Sequence, residues 1–429
     1  MGLRTLSVGF LGCGTVGAAS IRLLHEHAVD IAERAGARIE VARVAVRDPG
    51  RRRDVPLPAE RLTDDPATLV EDPAVQAVVE VMGGVEPAGG LILRALSAGK
   101  HVVTANKELL ATRGKELFDA AEASGVDLRF EAAVGGGIPL IRPIKESLAG
   151  ERVARITGIL NGTTNYVLTR MHEDRATFGE ALEVAVRLGY AEPDSSADVG
   201  GHDAAAKCAI LASIAFNTRV AADQVSREGI RGVSREDVEF AEALGYLVKP
   251  LAVAELADGE IAVRVHPAMI PQAHPLAAVR DSFNAVFVEG PNIGELMFYG
   301  RGAGGLPTAT AVVGDIADVA RNHTAGGRAV GCTCYLERRI RSIEESEGAY
   351  YLLLEVVDRP GVLAQIAGVF GRHAVSIKSV RQEGTGTKAL IVLVTHRANE
   401  GAVRRTARDL AGLPVVSEVR SVMRVEGGE

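Results

Sequence analysis

The chain begins with a dense apolar run at residues 6–11 (LSVGFL), a glycine-rich turn, and then apolar positions at Val16, Ile21, Leu23 and Leu24. A short run without alternation fits a strand buried on both faces, and the spacing after the turn fits a helix. "RIEVARVAVRD" predicts a second strand and "VQAVVEVMGG" a further strand ending in glycines. "EPAGGLILRALSAGKHVVTANKELLA" reads as helix, strand and turn, and "GKELFDAAEASGVDLRFEAAVGGG" repeats that alternation. Strands and helices alternating at this length imply right-handed crossovers and a doubly wound parallel α/β sheet.

From about residue 140 the pattern changes. "RVARITGILNGTTNYVLTRM" gives a strand, a polar turn and a helix, and "FGEALEVAVRLGYAEPD" gives a helix ending near Gly189. "GGHDAAAKCAILASIAF" is a strongly apolar helix after a glycine start, and "AVRVHPAMI" and "AVFVEG" read as strands. These define a mixed α+β domain over 141–300. The helix predicted at about 301–323 follows a glycine turn and packs back on the first domain, 1–140. Residues 324–347 read as a linker. Beyond them, over 348–429, the order strand, helix, strand, strand, helix, strand predicts a small ferredoxin-like domain.

At 429 residues the chain is too long for one ordinary core. The net charge of -7, with no long basic tract, argues against nucleic acid as the main partner. No apolar stretch is long enough to span a membrane, and the N-terminus runs straight into a strand pattern, so no membrane partner is expected. Of the four cysteines, Cys332 and Cys334 are one residue apart, closer than an ordinary disulfide spans. The expectation is a reduced, cytoplasmic protein.

Gly12-x-Gly14-x-x-Gly17 follows a strand and opens a helix, which is the context a dinucleotide-binding turn requires. Gly12 permits the turn, Gly14 lets backbone approach a pyrophosphate, and Gly17 permits close helix–strand packing. Thr15 and Val16 lie in the same turn, and Gly83 ends a neighbouring strand. The second strand ends "AVRDPGRRR". Arg47 there favours a ribose 2′-phosphate and hence NADP(H), while Asp48 keeps NAD(H) open.

"VVTANKELLA" places Thr104, Ala105, Asn106 and Lys107 after a sheet strand, at the carboxyl edge where α/β sites form. "FEAAVGGGIPLI" sets Glu131 before three consecutive glycines, whose entropic cost points to a close approach to the backbone, or to no more than a sharp bend. "ILNGTTNYVL" either caps a helix or presents amides and hydroxyls to a polar ligand. In "AEPDSSADVGGHDAAAK", Asp203 and Lys207 are four apart and share a helix face. An exposed ion pair would explain that spacing, but the helix is so apolar that Lys207 is not freely solvated and needs a partner. A transition-metal site is disfavoured, because His202 is the only histidine nearby.

These motifs together, with "GRGAGGLPTATAVVGDI" and "DRPGVLAQIAGVF", resemble the bacterial homoserine dehydrogenases that carry a C-terminal ACT domain, over essentially the whole chain. The resemblance implies a Rossmann domain, a substrate and dimerisation domain, and a regulatory ACT domain. It implies reversible NAD(P)H-dependent reduction of L-aspartate 4-semialdehyde to L-homoserine. Lys207, Lys107 and Asp203 match the family's catalytic positions. Glu192 and Asp198 would recognise the substrate amino group, with Tyr190, Gly162 and Thr163 shaping the pocket. Cofactor contacts would add Gly302 to the residues already named. A sodium or potassium ion would be held by the Glu131 side chain and the carbonyls of Val134, Gly136 and Ile138. Threonine is the expected effector, bound around residues 358–363, and a homodimer or homotetramer the expected assembly. Two other readings compete: an aldehyde dehydrogenase acting through a cysteine, and an amino-acid sensor built on an inactive dehydrogenase.

Overall fold

The computed structural model describes residues 3–384 and 386–427. The chain forms two compact units. One runs to Ile156 and takes in Ala206–Gln224 and Asn284–Arg338; the other comprises Thr157–Ala205, Val225–Phe283 and the chain from Arg339 onward.

The first unit holds, in chain order, β1 (Arg4–Leu11), α1 (Thr15–Glu26), α2 (Ala28–Ala35), β2 (Ala37–Ala45), β3 (Leu62–Thr63), α3 (Pro66–Glu71), β4 (Ala77–Glu80), α4 (Ala88–Ser97), β5 (His101–Thr104), α5 (Lys107–Ser124) and β6 (Leu128–Arg129). The strands lie in the order β3-β2-β1-β4-β5-β6 and pair in parallel. This is the doubly wound Rossmann-like sheet expected from the alternation, and its ligand crevice lies outside the carboxyl ends of β1 and β4. β4 and β5 are buried at every position, and polar residues stand only at their ends: Glu80 in β4, His101 and Thr104 in β5.

Helix Gly305–Ala325 closes this unit. Its buried stripe, including Val312, Ile316, Val319 and Ala320, joins one core with Leu6, Val8 and Phe10 of β1. Gly305 sits where an added Cβ would lie 2.9 Å from the Thr15 methyl, so this helix starts hard against the start of α1.

The second unit is built on a hairpin, Tyr246–Ala257 with Glu260–Pro271. The two-residue turn Asp258-Gly259 has positive φ at both positions (55° and 81°), the twist that matches paired strands. The partner strand Tyr246–Ala257 was not among the sequence expectations, although this Asp-Gly turn is its signal.

The C-terminal ferredoxin-like domain has strands Glu347–Val357, Ile377–Gly384, Lys388–Thr395 and Val416–Val425, with helices Val362–Arg372 and Glu400–Ala411. Val416–Val425 pairs antiparallel with Glu347–Val357 on one side. On its other side it meets the hairpin in parallel, Ala268 opposite Arg424 and Met269 opposite Val425. The sheet of this domain therefore continues the hairpin sheet. Tyr351, Leu353 and Met423 share one core with Tyr166, Phe240 and Met269.

Buried charge surrounds that junction. Arg264 donates to Glu426 at 2.9 Å and to Glu255 at 2.8 Å, and Arg424 meets Glu400, which also accepts from the Tyr350 hydroxyl, each at 2.6 Å. Charges this deep persist because each has a partner. His266, 1% exposed, is pushed down to about 4, chiefly by burial and then by Arg424.

The segment after helix Gly305–Ala325 is tied down along its length. Within the first unit, the Leu336 amide donates to the Asn217 carbonyl at 2.8 Å. Within the second, the Ile261 amide donates to the Arg339 carbonyl at 2.9 Å and the Arg341 amide to the Ile261 carbonyl at 2.7 Å.

The folded state keeps His266 neutral down to about pH 4, whereas the unfolded chain takes up the proton near its ordinary value of 6.5. The unfolded state thus binds more protons in that window, so stability is held above it and lost as pH falls through it. His266→Gln should flatten this acid-side loss when thermal midpoints are followed from pH 6.5 to pH 4. An unchanged slope would reject the assignment.

Candidate functional site

The dinucleotide turn follows directly from β1. Gly12 has φ +105°, and an added Cβ would press on the Val81 carbonyl at 3.0 Å. At Gly17 a Cβ would lie 2.5 Å from the Gly12 carbonyl, so α1 can approach β1 only with glycine there. At Gly14 a Cβ would meet nothing within 4 Å, leaving open space beside the backbone. No side chain caps α1, and its first turn carries no acid, so its N-terminal amides remain available to an anion such as a pyrophosphate. The residues present fit a dinucleotide. Arg47 and Asp48, at the end of β2, are both exposed. Arg53 donates to the Asp48 and Arg51 carbonyls at 2.8 Å and fixes that loop.

A buried acid organises the next two strand ends. Glu80, fully buried at the end of β4, accepts from the Met82 and Gly83 amides at 2.9 Å and from the Thr104 hydroxyl at 2.6 Å. Thr104 in turn accepts from the Asn106 amide at 3.0 Å. Asn106 donates to the Gly84 carbonyl at 2.7 Å and caps α5 through the Leu109 amide. Lys107 is thereby placed as the first residue of α5, half-buried. The side chains of Thr104 and Asn106 are engaged within this lattice. Glu80 was missed at the level of sequence, where its signal is an acid closing an otherwise apolar strand.

Glu131, 2% exposed, gathers the turn after β6. Its carboxylate accepts from the amides of Leu140 (2.5 Å), Ile141 (2.8 Å) and Arg142 (3.0 Å), and from the Arg142 guanidinium (3.3 Å). Its own amide donates to Asp315 at 2.8 Å. Asp315 is fully buried and pushed up to about 7, chiefly by burial and then by Glu131. Gly136, at φ +56°, lets the chain pass so close to Gly302 that a Cβ would lie 2.5 Å from the Gly302 carbonyl. Gly302 itself is packed against the Asn284 side chain. Among the described residues, no backbone N–H donates to the carbonyls of Val134, Gly136 or Ile138. Carbonyl oxygens are the kind of ligand a hard monovalent cation takes. The Glu131 oxygens hold four N–H groups of the same turn.

The second unit gathers acids around one amide. Asn161, 5% exposed, donates through Nδ2 to Asp198 at 2.7 Å and to Asp203 at 2.9 Å. Its Oδ1 accepts from the Thr164 amide (2.9 Å) and hydroxyl (3.0 Å), capping helix Gly162–Glu173. The capping reading of "ILNGTTNYVL" holds, and Asn161 is in addition a polar hub that sequence reasoning did not single out. Thr163 donates to the Tyr190 carbonyl at 2.6 Å, and Tyr190 stacks on Tyr166 at 5.0 Å. Gly162 fits against the Ser282 carbonyl, where a Cβ would lie at 2.7 Å. Glu192 is exposed, outside this hydrogen-bonded group. Asp203 and Lys207 stand one turn apart on helix His202–Ala215, and Lys207 is 9% exposed. One amide nitrogen thus gathers both carboxylates.

Cys13 and Cys208, the two thiols weighed for a cysteine aldehyde dehydrogenase, lack the surroundings of a nucleophile. Burial pushes the Cys13 thiol up, against the pull of Arg53 and Arg22, and Cys208 is 2% exposed. Among the described residues no three histidine, cysteine or acidic side chains gather as a metal cluster, and no helix is long and apolar enough to cross a membrane.

Three family models match the chain: "Homoserine dehydrogenase, NAD binding domain" over residues 12–131, "Homoserine dehydrogenase" over 139–317, and "ACT domain" over 350–414. The homoserine dehydrogenase of Corynebacterium glutamicum is 47% identical, covering 98% of this chain and 96% of its own length. That of Mycobacterium tuberculosis is 48% identical, covering 99% and 98%. Among solved structures, a homoserine dehydrogenase from Thiobacillus denitrificans superposes with a TM-score of 0.93 at 40% identity, covering 99% of each chain. A hyperthermophilic archaeal homoserine dehydrogenase mutant in complex with NADPH gives a TM-score of 0.62 at 27% identity, covering 74% of this chain and 98% of its own.

Asn161→Ala removes a helix cap and the donor shared by two acids, and should cost about 1–3 kcal/mol in thermal or denaturant unfolding. Asn161→Asp keeps the cap but adds a third carboxylate, so its deficit should grow as pH rises. If the alanine variant melts with the parent protein, Asn161 is not the hub.

Proposed function

The chain belongs to the homoserine dehydrogenase family, and from that premise we propose how its residues carry the reaction. The enzyme is an NAD(P)-dependent oxidoreductase that interconverts L-aspartate 4-semialdehyde and L-homoserine. The observation that carries the assignment of roles is the carboxylate pair held by Asn161, one helical turn before the buried Lys207.

Both substrate and product are amino acids, so each brings an ammonium group. Asp198 and Asp203 bind that ammonium, and the exposed Glu192 adds attraction from the loop before them. Tyr190, Gly162 and Thr163 form the wall beside it. Lys207 donates a hydrogen bond to the aldehyde oxygen and stabilises the charge that grows there as the carbonyl becomes an alkoxide, then supplies the proton. Asp203 is a positioning residue as well as a ligand, because it shares a helix face with Lys207. Lys107 relays the proton. When bound, the reduced nicotinamide supplies the hydride that attacks the aldehyde carbon. Gly12, Gly14, Thr15, Val16 and Gly17 receive its pyrophosphate, Gly83 and Gly302 leave room for the nucleotide, and Thr104, Ala105 and Asn106 shape the strand end beside it. Arg47 favours the 2′-phosphate of NADP(H), a preference supported by its exposure at the end of β2. A sodium or potassium ion on the carbonyls of Val134, Gly136 and Ile138, balanced by Glu131, would brace the turn after β6.

The ACT domain implies control by an amino acid, and threonine is the effector we propose. The turn at 358–363 supports this. Gln382 donates to Asp358 at 3.4 Å, Gly361 adopts φ +88°, and Leu363 and Val380 are exposed beside it. Such a surface suits a small zwitterion shared with a second copy, and hence a homodimer or homotetramer working in the cytoplasm on the route to threonine and methionine.

Oxidation of NADPH by aspartate semialdehyde, followed by absorbance with and without threonine, tests the reading directly. Lys207→Ala should lower kcat by about 10²–10⁴-fold while nucleotide affinity holds; near-normal turnover would remove its catalytic role. Arg47→Ala should raise the KM for NADPH by on the order of tenfold and leave NADH almost unchanged. Equal effects on the two nucleotides would reject the phosphate contact.

A further inference from the structure

The strap that follows helix Gly305–Ala325 carries Cys332-Thr333-Cys334, which the dehydrogenase reaction does not use. Both thiols are free and half-buried, and they line a small pocket with Phe118, Phe130, Lys145 and Arg219. Two cations share that pocket. Arg219 donates to the Cys332 sulfur at 3.1 Å while its guanidinium lies 5.1 Å from the centre of the Phe118 ring. Lys145 donates to the Val330 carbonyl at 3.1 Å and lies 5.6 Å from the centre of the Phe130 ring. The Cys334 amide donates to the Cys332 sulfur at 3.5 Å, folding that sulfur back over Thr333. The Cys334 thiol donates to the Ser213 carbonyl at 3.5 Å. Cys332 is thus the acceptor of the pair and Cys334 the donor. The neighbouring Cys334 lowers the Cys332 thiol below the ordinary range, helped against the opposing effect of burial by the Cys334 amide, Arg219 and Lys145, whereas Cys334 is pushed up by Cys332 and by burial. A thiolate flanked by cations, with a second thiol in reach, is the arrangement of a reactive cysteine and its resolving partner. The same positive surroundings oppose a bound metal cation.

We propose that Cys332 and Cys334 form a peroxide-responsive thiol pair on the strap leading to the ACT domain. The Cys332 thiolate attacks one oxygen of a hydroperoxide. An S–O bond forms, the O–O bond breaks, and the departing alkoxide or hydroxide takes a proton from solvent beside Arg219 and Lys145. The Cys334 sulfur then attacks the sulfenic acid; an S–S bond forms and its proton leaves with the hydroxyl as water. Two thiols lose two electrons in all, and the peroxide is reduced to an alcohol, or water, plus water. Closure over a single residue is strained, which makes the bond readily reversed by a dithiol reductant. It also withdraws both sulfurs from Arg219 and from the Ser213 carbonyl, the contacts that hold the strap to the first unit.

The test uses the reduced full-length protein, stoichiometric hydrogen peroxide and mass spectrometry of the tryptic peptide 329–338. That peptide should lose two hydrogens and regain them with dithiothreitol. Limiting iodoacetamide at neutral pH should alkylate Cys332 on the order of tenfold faster than Cys334 or Cys13. Cys334→Ser should stop the reaction at a sulfenic acid on Cys332, trapped by dimedone, and Cys332→Ser should leave Cys334 unoxidised. Prior oxidation of Cys13 or Cys208, equal alkylation of Cys332 and Cys334 in the unsubstituted protein, or a disulfide between two chains in place of the one within the strap would each overturn the proposal.

Discussion

Carboxylates held by N–H groups, more than by opposite charge, set the shape of every loop on which the chemistry depends. Glu80 gathers two amides and a hydroxyl at the end of β4, Glu131 gathers three amides after β6, and Asn161 bridges Asp198 and Asp203. Glu80 and Glu131 are buried and would be costly if unpaired, so their loops can relax only by giving up several hydrogen bonds together. The arrangement also preserves negative charge. An acid neutralised by an arginine has little left for a ligand, but one satisfied by amides still attracts a cation.

The first unit was largely legible because its physics is local. Unbroken apolar runs, glycine turns and helical spacing encode a parallel sheet covered on both faces, and the Gly12, Gly14 and Gly17 positions each proved sterically necessary or open as their roles require. The hairpin of the second unit was half missed. Its strand Tyr246–Ala257 contains Lys249 and Pro250, which mask the pattern, and only the Asp258-Gly259 turn marks it. The organising side chains were harder still. Glu80 looks like an ordinary strand terminus and Asn161 like an ordinary cap. What makes them central is distance in space from Thr104, Asp198 and Asp203, which no local pattern carries. The glycines at 135–137 were rightly taken as a close approach, though the partner, Gly302, lies far along the chain.

Buried polar groups divide the labour between the two units differently. In the first, the acids shape turns at strand ends. In the second, beyond the Asn161 cluster, arginines and glutamates sit inside a sheet, where Arg264, Arg424, Glu400 and Glu426 lock the strands of two domains side by side. A hydrophobic substitution at one of them would strand its partner in a dry interior.

The strand Val416–Val425 belongs to two sheets at once, bonded to an ACT strand along one edge and to the hairpin along the other. A regulatory module joined in this way cannot be inherited like a bead on a string. A nonsense codon shortly before residue 416 would remove not a detachable sensor but a lateral neighbour of the hairpin, baring backbone edge and apolar surface together.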